Sequence, residues 1–276
     1  MRLNAVEAGG EPGGEAGQGA AGSGAALVLL HGLFGAAGNW GAIQKRLAAR
    51  RRVVALDLRN HGSSGRDAVM DYKAMAADVA ETLAALGAAP AAVLGHSMGG
   101  KVAMALALAR PELVERLVVA DIAPVSYPPA LRGYVAAMQA VPLHPGLNRR
   151  EADAAISEAI PEPGIRAFLL QNLRFGDGVP SWRLGLEEIA AAMPVIEAFP
   201  EFTTRYDGPV LVLNGERSNY IRPAHHDRIL ALFPRATFGT VAGAGHWIHS
   251  ENPQGFLARL EPFLEQAASG RARPDG

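Results

Sequence analysis

The chain contains no cysteine. That absence removes disulfides, thiol nucleophiles and thiolate metal sites together. Net charge is also nearly absent: 26 Lys and Arg stand against 27 Asp and Glu, a formal charge of −1. Proteins that grip phosphate backbones carry a basic excess and disordered acidic chains the opposite, so neither class fits, and no nucleic-acid partner is expected. Long apolar runs are missing too. The longest, Val102 to Ala109, falls far short of the roughly 20 residues a membrane helix needs. The opening Met1-Arg2-Leu3-Asn4 lacks the apolar core of a signal peptide, so a cytoplasmic protein is expected. What the chain does have is apolar residues, 49% of 276, and α/β folds of this length often form a single domain.

The most informative stretch is Val93-Leu94-Gly95-His96-Ser97-Met98-Gly99-Gly100. The apolar run Ala91 to Leu94 reads as a buried strand, and Met98 to Ala109 reads as a helix. Between them Gly95-His96-Ser97-Met98-Gly99 has the form G-x-S-x-G in strand–turn–helix context. So tight a reversal strains the central serine, and side chains two positions either side would collide, which glycine avoids. Ser97 Oγ is thereby lifted above the sheet, and the Met98 N–H at the helix start can face an anion.

The rest of the chain alternates. Residues 2–7 read as a short edge strand, and Gly9 to Gly24 is half glycine and reads as a flexible loop. That loop holds Gly17-Gln18-Gly19-Ala20-Ala21-Gly22, a G-x-G-x-x-G match. It precedes a strand and follows none, so a nucleotide role is not expected. Strands are expected at Leu27–Leu30, Val53–Leu58, Leu117–Ala120, Val210–Leu213 and Thr237–Val241. Helices are expected after Asn39 as a cap, over Asp71–Leu86, near Pro223–Leu232 and over Pro253–Gln266, with a frayed tail at Gly270–Gly276. This alternation predicts a mostly parallel sheet with helices on both faces. From Ala123 to about Thr204 there are instead Pro-punctuated helical stretches, roughly Pro129–Ala140, Arg149–Ala159, Ile165–Arg174 and Leu186–Ala198. The predicted organisation is therefore a core of residues 1–124 and 205–276 with an inserted helical cap at 125–204.

A serine hydroxyl needs a base. Of eight histidines, His246 stands out in Gly243-Ala244-Gly245-His246-Trp247-Ile248-His249, directly after the last strand, where glycines let the loop bend over the sheet's carboxyl edge. His249 is expected to make a helix-entry contact, because a His246/His249 metal site has no third ligand nearby. An oxyanion hole needs two converging N–H groups. Met98 is one, and Leu33 of His31-Gly32-Leu33-Phe34 is the expected second, with Phe34 its rival; the side chains of Leu33 and Met98 are expected to line the acyl pocket. The acid is harder. In Leu213-Asn214-Gly215-Glu216-Arg217-Ser218 the carboxylate that follows the strand at Val210–Leu213 is Glu216, close to the strand end and expected to point elsewhere. Asp121 ends the preceding strand at the same edge, within reach of His246, and is favoured over Glu216 or Asp207. The Asp57-Leu58-Arg59-Asn60-His61 stretch is expected to fix loops without reacting, and Lys101 to be solvated or to meet substrate.

Taken together, His31-Gly32-Leu33-Phe34-Gly35, Arg59-Asn60-His61-Gly62, Gly95 to Lys101, Asp121-Ile122-Ala123-Pro124 and Gly243 to His249 make the chain resemble the α/β-hydrolases. Within them it resembles the branch of YbfF-type esterases and abhydrolase-domain 11 proteins, over nearly its whole length. The resemblance implies an α/β-hydrolase fold and hydrolysis of short acyl esters and acyl-CoA thioesters without a cofactor. It implies Asp121 as the relocated acid, and Ser218 as a supporting fourth polar member. The expected mechanism is acyl transfer from Ser97 to water, with His246 as base, Asp121 as acid and no metal. A C–C hydrolase or cofactor-free perhydrolase would use the same residues. A ligand-binding sensor on the same fold is the reading from another class. Elbow aspartate chemistries are excluded by Ser97.

Overall fold

The computed structural model describes residues 1–9, 25–176 and 178–266. The Gly17–Gly22 match and the tail at 270–276 lie outside these described residues. Ten α-helices and nine strands are found along the described chain. The strands are β1 (Ala5–Ala8), β2 (Leu27–Leu30), β3 (Val53–Leu56), β4 (Ala91–His96), β5 (Val114–Ala120), β6 (Leu173–Arg174), β7 (Ser181–Trp182), β8 (Val210–Gly215) and β9 (Ala236–Val241). The helices are α1 (Gly41–Ala48), α2 (Tyr72–Ala85), α3 (Met98–Ala109), α4 (Arg132–Gln139), α5 (Arg149–Ile156), α6 (Pro163–Leu170), α7 (Leu186–Glu197), α8 (His226–Leu232), α9 (Ile248–Glu251) and α10 (Pro253–Glu265).

Seven strands form one sheet in the order β1-β3-β2-β4-β5-β8-β9. All neighbours are parallel except the edge pair β1 and β3. The central strands are fully buried because both faces are covered, and this is why they read as continuous apolar runs rather than alternating ones. Within each strand, successive residues join opposite cores. Val28, Leu30, Val54 and Leu56 pack on the α2–α3 side, and Leu27, Leu29, Val53 and Ala55 pack on the side of α1 and α10. Strand order reverses between β2 and β4, so the chain leaves a crevice above their carboxyl ends.

The segment between β5 and β8 contributes nothing to this sheet; it carries α4 to α7 and the two-stranded β6–β7 hairpin. Two local expectations change. The helix predicted over Ile165–Arg174 stops at Leu170, because Asn172 turns its amide to the Phe34 carbonyl (2.8 Å) and Arg174 pairs in the hairpin. Asn39 does not cap α1. It lies inside a short 3-10 turn, Ala37–Trp40, and accepts a hydrogen bond from the Ala36 N–H (2.7 Å). Asp71 does cap α2, accepting from the Ala74 N–H. No helix among the described residues is long and apolar enough to cross a membrane.

Candidate functional site

Five loops leave the carboxyl edge of the sheet and converge on the crevice. Ser97 is the turn residue between β4 and α3, with φ 52° and ψ −121°, outside the conformations a side chain prefers. Two features hold it there. Its N–H donates to Ala120 O of the neighbouring strand (3.0 Å), and the glycines around it allow contacts no side chain would. A Cβ at Gly95 would lie 2.1 Å from the Gly99 carbonyl oxygen, and one at Gly99 would lie 2.5 Å from the carbonyl oxygens of Leu30 and His31. The elbow is therefore packed against its own helix and against the loop that follows β2.

Asp121 repeats this device one strand along. It stands one residue past β5 with φ 54°, its N–H bonded to Leu213 O (2.8 Å), and its side chain is completely buried. Oδ1 accepts from the Gly215 N–H (3.1 Å), while Oδ2 accepts from Ser218 Oγ (2.5 Å) and from His246 Nδ1 (2.7 Å). With Nδ1–H committed to Asp121, His246 Nε2 is the acceptor facing Ser97 Oγ at 3.0 Å. Ser97, His246, Asp121 and Ser218 thus form one continuous hydrogen-bonded chain. Glu216 stands apart, accepting from the Gly243 N–H (2.7 Å), and Asp207 is paired with Arg205 on the surface (3.0 Å).

The expected oxyanion donors lie among backbone groups whose neighbours are already engaged. The Phe34 N–H donates to His61 Nε2 (3.1 Å) and is thus engaged within the protein. Among the described hydrogen bonds, neither the Leu33 nor the Met98 N–H has an acceptor in the protein. His61 Nδ1–H in turn donates to Arg59 O (2.9 Å), and His31 spans Leu58 N–H (3.0 Å) and Gly32 O (2.8 Å) in the same way. The Asp57–His61 stretch is a brace: Asp57 accepts from Ala37, Ser63 and Asn4, and Arg59 is paired with Asp78. Burial drives these imidazoles toward the neutral form. His31 is lowered, His61 is pulled down to about 3, and His249 to about 4.

Several roles were not visible in the sequence. His96, inside the elbow motif, donates from Nε2 to the His246 carbonyl (2.8 Å) and so ties the two loops together; burial pushes its pKa well down. Tyr220 stacks on the His246 ring at 3.9 Å, and Tyr127 donates to the Tyr220 carbonyl (2.6 Å). No local pattern announces either tyrosine. His249 is buried, stacked on Trp40 at 4.3 Å. Lys101 is not solvated, and it lines a small cavity beside Ser97. It is buried beneath the end of α7, donating to the carbonyls of Ala198 (2.6 Å) and Glu197 (3.2 Å), with Tyr127 and Tyr72 rings at 4.9 and 5.5 Å. Burial pulls its pKa down to about 7, opposed by the Glu197 charge.

A cavity of about 340 Å³ opens above Ser97 and His246. Its walls include the 31–35 loop, Leu131, Phe168 and Trp247, with Asn39, Tyr134, Tyr220 and Ser250 adding polar groups beside the serine and histidine, so a ligand there meets a mainly apolar surface.

A family model described as the alpha/beta hydrolase family matches residues 27–259. The chain is similar to the mouse (Mus musculus) protein named sn-1-specific diacylglycerol lipase ABHD11, 44% identical over 247 residues, covering 87% of this chain and 80% of that one. It is also similar to esterase YbfF of Escherichia coli (strain K12), 37% identical over 239 residues, with 86% and 92% covered. A solved structure described as a marine microorganism esterase superposes with a TM-score of 0.88 at 32% identity, over 95% of this chain and 99% of that one.

Proposed function

The chain belongs to the alpha/beta hydrolase family and is a serine ester hydrolase; from that premise we propose that it works through an acyl-enzyme intermediate on Ser97. The observation that carries the assignment is the chain of hydrogen bonds from Ser97 Oγ through His246 to the buried Asp121 carboxylate. Ser97 attacks the ester carbonyl while His246 Nε2 takes its proton. Asp121 holds the imidazole in the required tautomer and stabilises the imidazolium without itself becoming protonated. The Leu33 and Met98 N–H groups receive the oxyanion; losing one such donor costs about 3 kcal/mol in the transition state. His246 then protonates the leaving oxygen, and a water activated by the same nitrogen releases the acid. Ser218 supports the arrangement through Asp121.

In this reading residues 1–124 and 205–276 act as the hydrolase core, and residues 125–204 act as a cap that forms part of the substrate cavity. A thiol leaving group would take its proton from the same nitrogen, so we extend the substrate class to acyl-CoA thioesters. Ser97→Ala is expected to abolish p-nitrophenyl butyrate hydrolysis and labelling by a fluorophosphonate, with a melting temperature close to wild type. Turnover persisting in that variant would overturn the assignment. Release of free CoA from acetyl- or butyryl-CoA measures the thioester extension.

A further inference from the structure

Ser97 lies on the wall between two cavities of very different size. The larger, about 340 Å³, is the one that His246 and Trp247 line. The smaller, about 50 Å³, shares Ser97, Leu33 and Tyr220 with it, lies on the Met98 side, and receives no wall from His246. Proton delivery decides what each one holds. When the tetrahedral intermediate collapses, the leaving atom must face His246 Nε2. The alcohol or thiol portion therefore extends into the cavity that His246 lines, and the acyl chain extends past Met98 into the other. A volume of about 50 Å³ takes on the order of four water-sized groups, the bulk of an acyl chain of about two to four carbons.

α7 forms one wall of the smaller cavity, which Tyr72 and Lys101 also line. Met193 and Ile196 face it, both buried, and α7 ends immediately over Lys101. Lys101 lies one turn along α3 from Ser97, its N–H bonded to Ser97 O (3.1 Å), and its ammonium holds the last carbonyls of α7 and the one that follows. One helix thus carries the serine at its start and, a turn later, the charge that fixes the opposite wall. The side wall is equally constrained. Tyr127 Oη accepts from the Ala123 N–H (2.8 Å) and donates to Tyr220 O (2.6 Å), which leaves it no freedom to swing aside.

We propose that α7 is the gauge of acyl length, with Met193 and Ile196 as its stop and Lys101 as the positioning residue that holds the stop against Ser97. The proposal rests on the Ser97 and His246 roles given above. It assigns specificity to the inserted helical segment and assigns a task to a buried lysine that the ester chemistry does not use.

The test is a series of p-nitrophenyl esters of acetate, butyrate and octanoate, paired with acetate esters of ethanol and benzyl alcohol followed by acid release. The wild type is expected to prefer butyrate over octanoate by about tenfold or more in kcat/KM, while accepting benzyl acetate at least as well as ethyl acetate. Met193→Ala is expected to raise the octanoate-to-butyrate ratio by about tenfold. Lys101→Met keeps the bulk and removes the charge, and is expected to move the same ratio in the same direction below its melting temperature. Equal use of octanoate and butyrate by the wild type, or an unchanged ratio in Met193→Ala, would overturn the gauge. A lower melting temperature in Lys101→Met with an unchanged ratio would reduce the lysine to a structural role and overturn its part. Fluorophosphonate labelling of Ser97 separates the two levels: labelled protein with flat ratios removes the gauge alone, whereas unlabelled protein removes the ester mechanism beneath it.

Discussion

At the scale of single residues the proposed acid makes the sharpest case. Asp121 has a strained backbone, a fully buried carboxylate and three donors: the Gly215 N–H, Ser218 Oγ and His246 Nδ1. Asp121→Asn keeps the shape but replaces one acceptor oxygen by an NH₂ group, which cannot receive the imidazole N–H. His246 then adopts the other tautomer and ceases to be an acceptor for Ser97. A fall in kcat of about 10³- to 10⁴-fold is expected. Glu216→Gln, whose carboxylate only receives the Gly243 N–H, is expected to stay within about threefold of wild type. Ser218→Ala removes one donor from Asp121 and should cost about tenfold, the equivalent of one hydrogen bond to a charged group. Steady-state kcat of the three variants on one ester checks the ranking, and collapse in Glu216→Gln with a near-normal Asp121→Asn would reverse it. Ser97 and His246 were legible in the sequence because short local patterns, glycines at fixed offsets from a strand end, make their positions necessary. The placement of Asp121 beside His246 was less legible: it rested on the strand-end position, on the poor placing of Glu216 and on family resemblance, since nothing local to residue 121 records that a loop 125 residues later returns to it.

Among the elements, the loop after β2 decides whether the proposed anion site is preorganised. It carries the Leu33 N–H and is held from three sides: by His61 on the Phe34 N–H, by Asn172 on the Phe34 carbonyl, and by the Gly35 N–H closing on Gly32 O. His61 makes no contact with the proposed nucleophile, so its part is played through geometry. His61→Ala frees the Phe34 N–H and loosens the donor beside it. A drop of about tenfold to a hundredfold in kcat is expected, with KM changed far less, because an oxyanion donor acts mainly in the transition state. An equal loss spread onto KM would place His61 in substrate binding instead. Apolar periodicity located most helices of the large sheet and of the inserted segment to within a few residues. It failed where a tertiary contact ended the element: α6 stops early because Asn172 serves Phe34, a partner 138 residues away. The same blindness hid Lys101. A lysine after the elbow glycines reads as exposed on composition alone, whereas the acceptors that hold it are carbonyls at the end of α7, whose placement is a property of the fold.

Across the whole molecule, the elements that build the site also make it sensitive to acid. Four histidines, His31, His61, His96 and His249, are buried around the crevice, with ring pairs 5.0 Å (His31–His61) and 4.8 Å (His96–His249) apart. For all four, burial is the main cause of a lowered pKa, to about 3 for His61 and about 4 for His249. The backbone bonds add a constraint: Nε2 of His61 receives the Phe34 N–H and Nε2 of His31 the Leu58 N–H, and a protonated nitrogen can receive neither. In the unfolded chain these groups titrate near 6.5, so below that pH the unfolded state binds protons that the native state refuses. The stability they confer is complete above about pH 6.5 and is lost as pH falls through the folded values toward 4 and 3. Each unit of depression corresponds to about 1.4 kcal/mol, so His61 and His249 together oppose folding in strong acid by several kcal/mol, a large part of an ordinary domain's total stability. The melting temperature is therefore expected to hold steady from pH 8 to 7 and to fall steeply between 6 and 4.5. His61→Gln supplies a neutral acceptor for the Phe34 N–H and nothing that titrates, so its melting temperature should decline less steeply over the same range. A wild-type melting temperature that stays flat down to pH 4.5 would show that these imidazoles accept protons in the native state, and the neutral brace around the anion site would have to be abandoned.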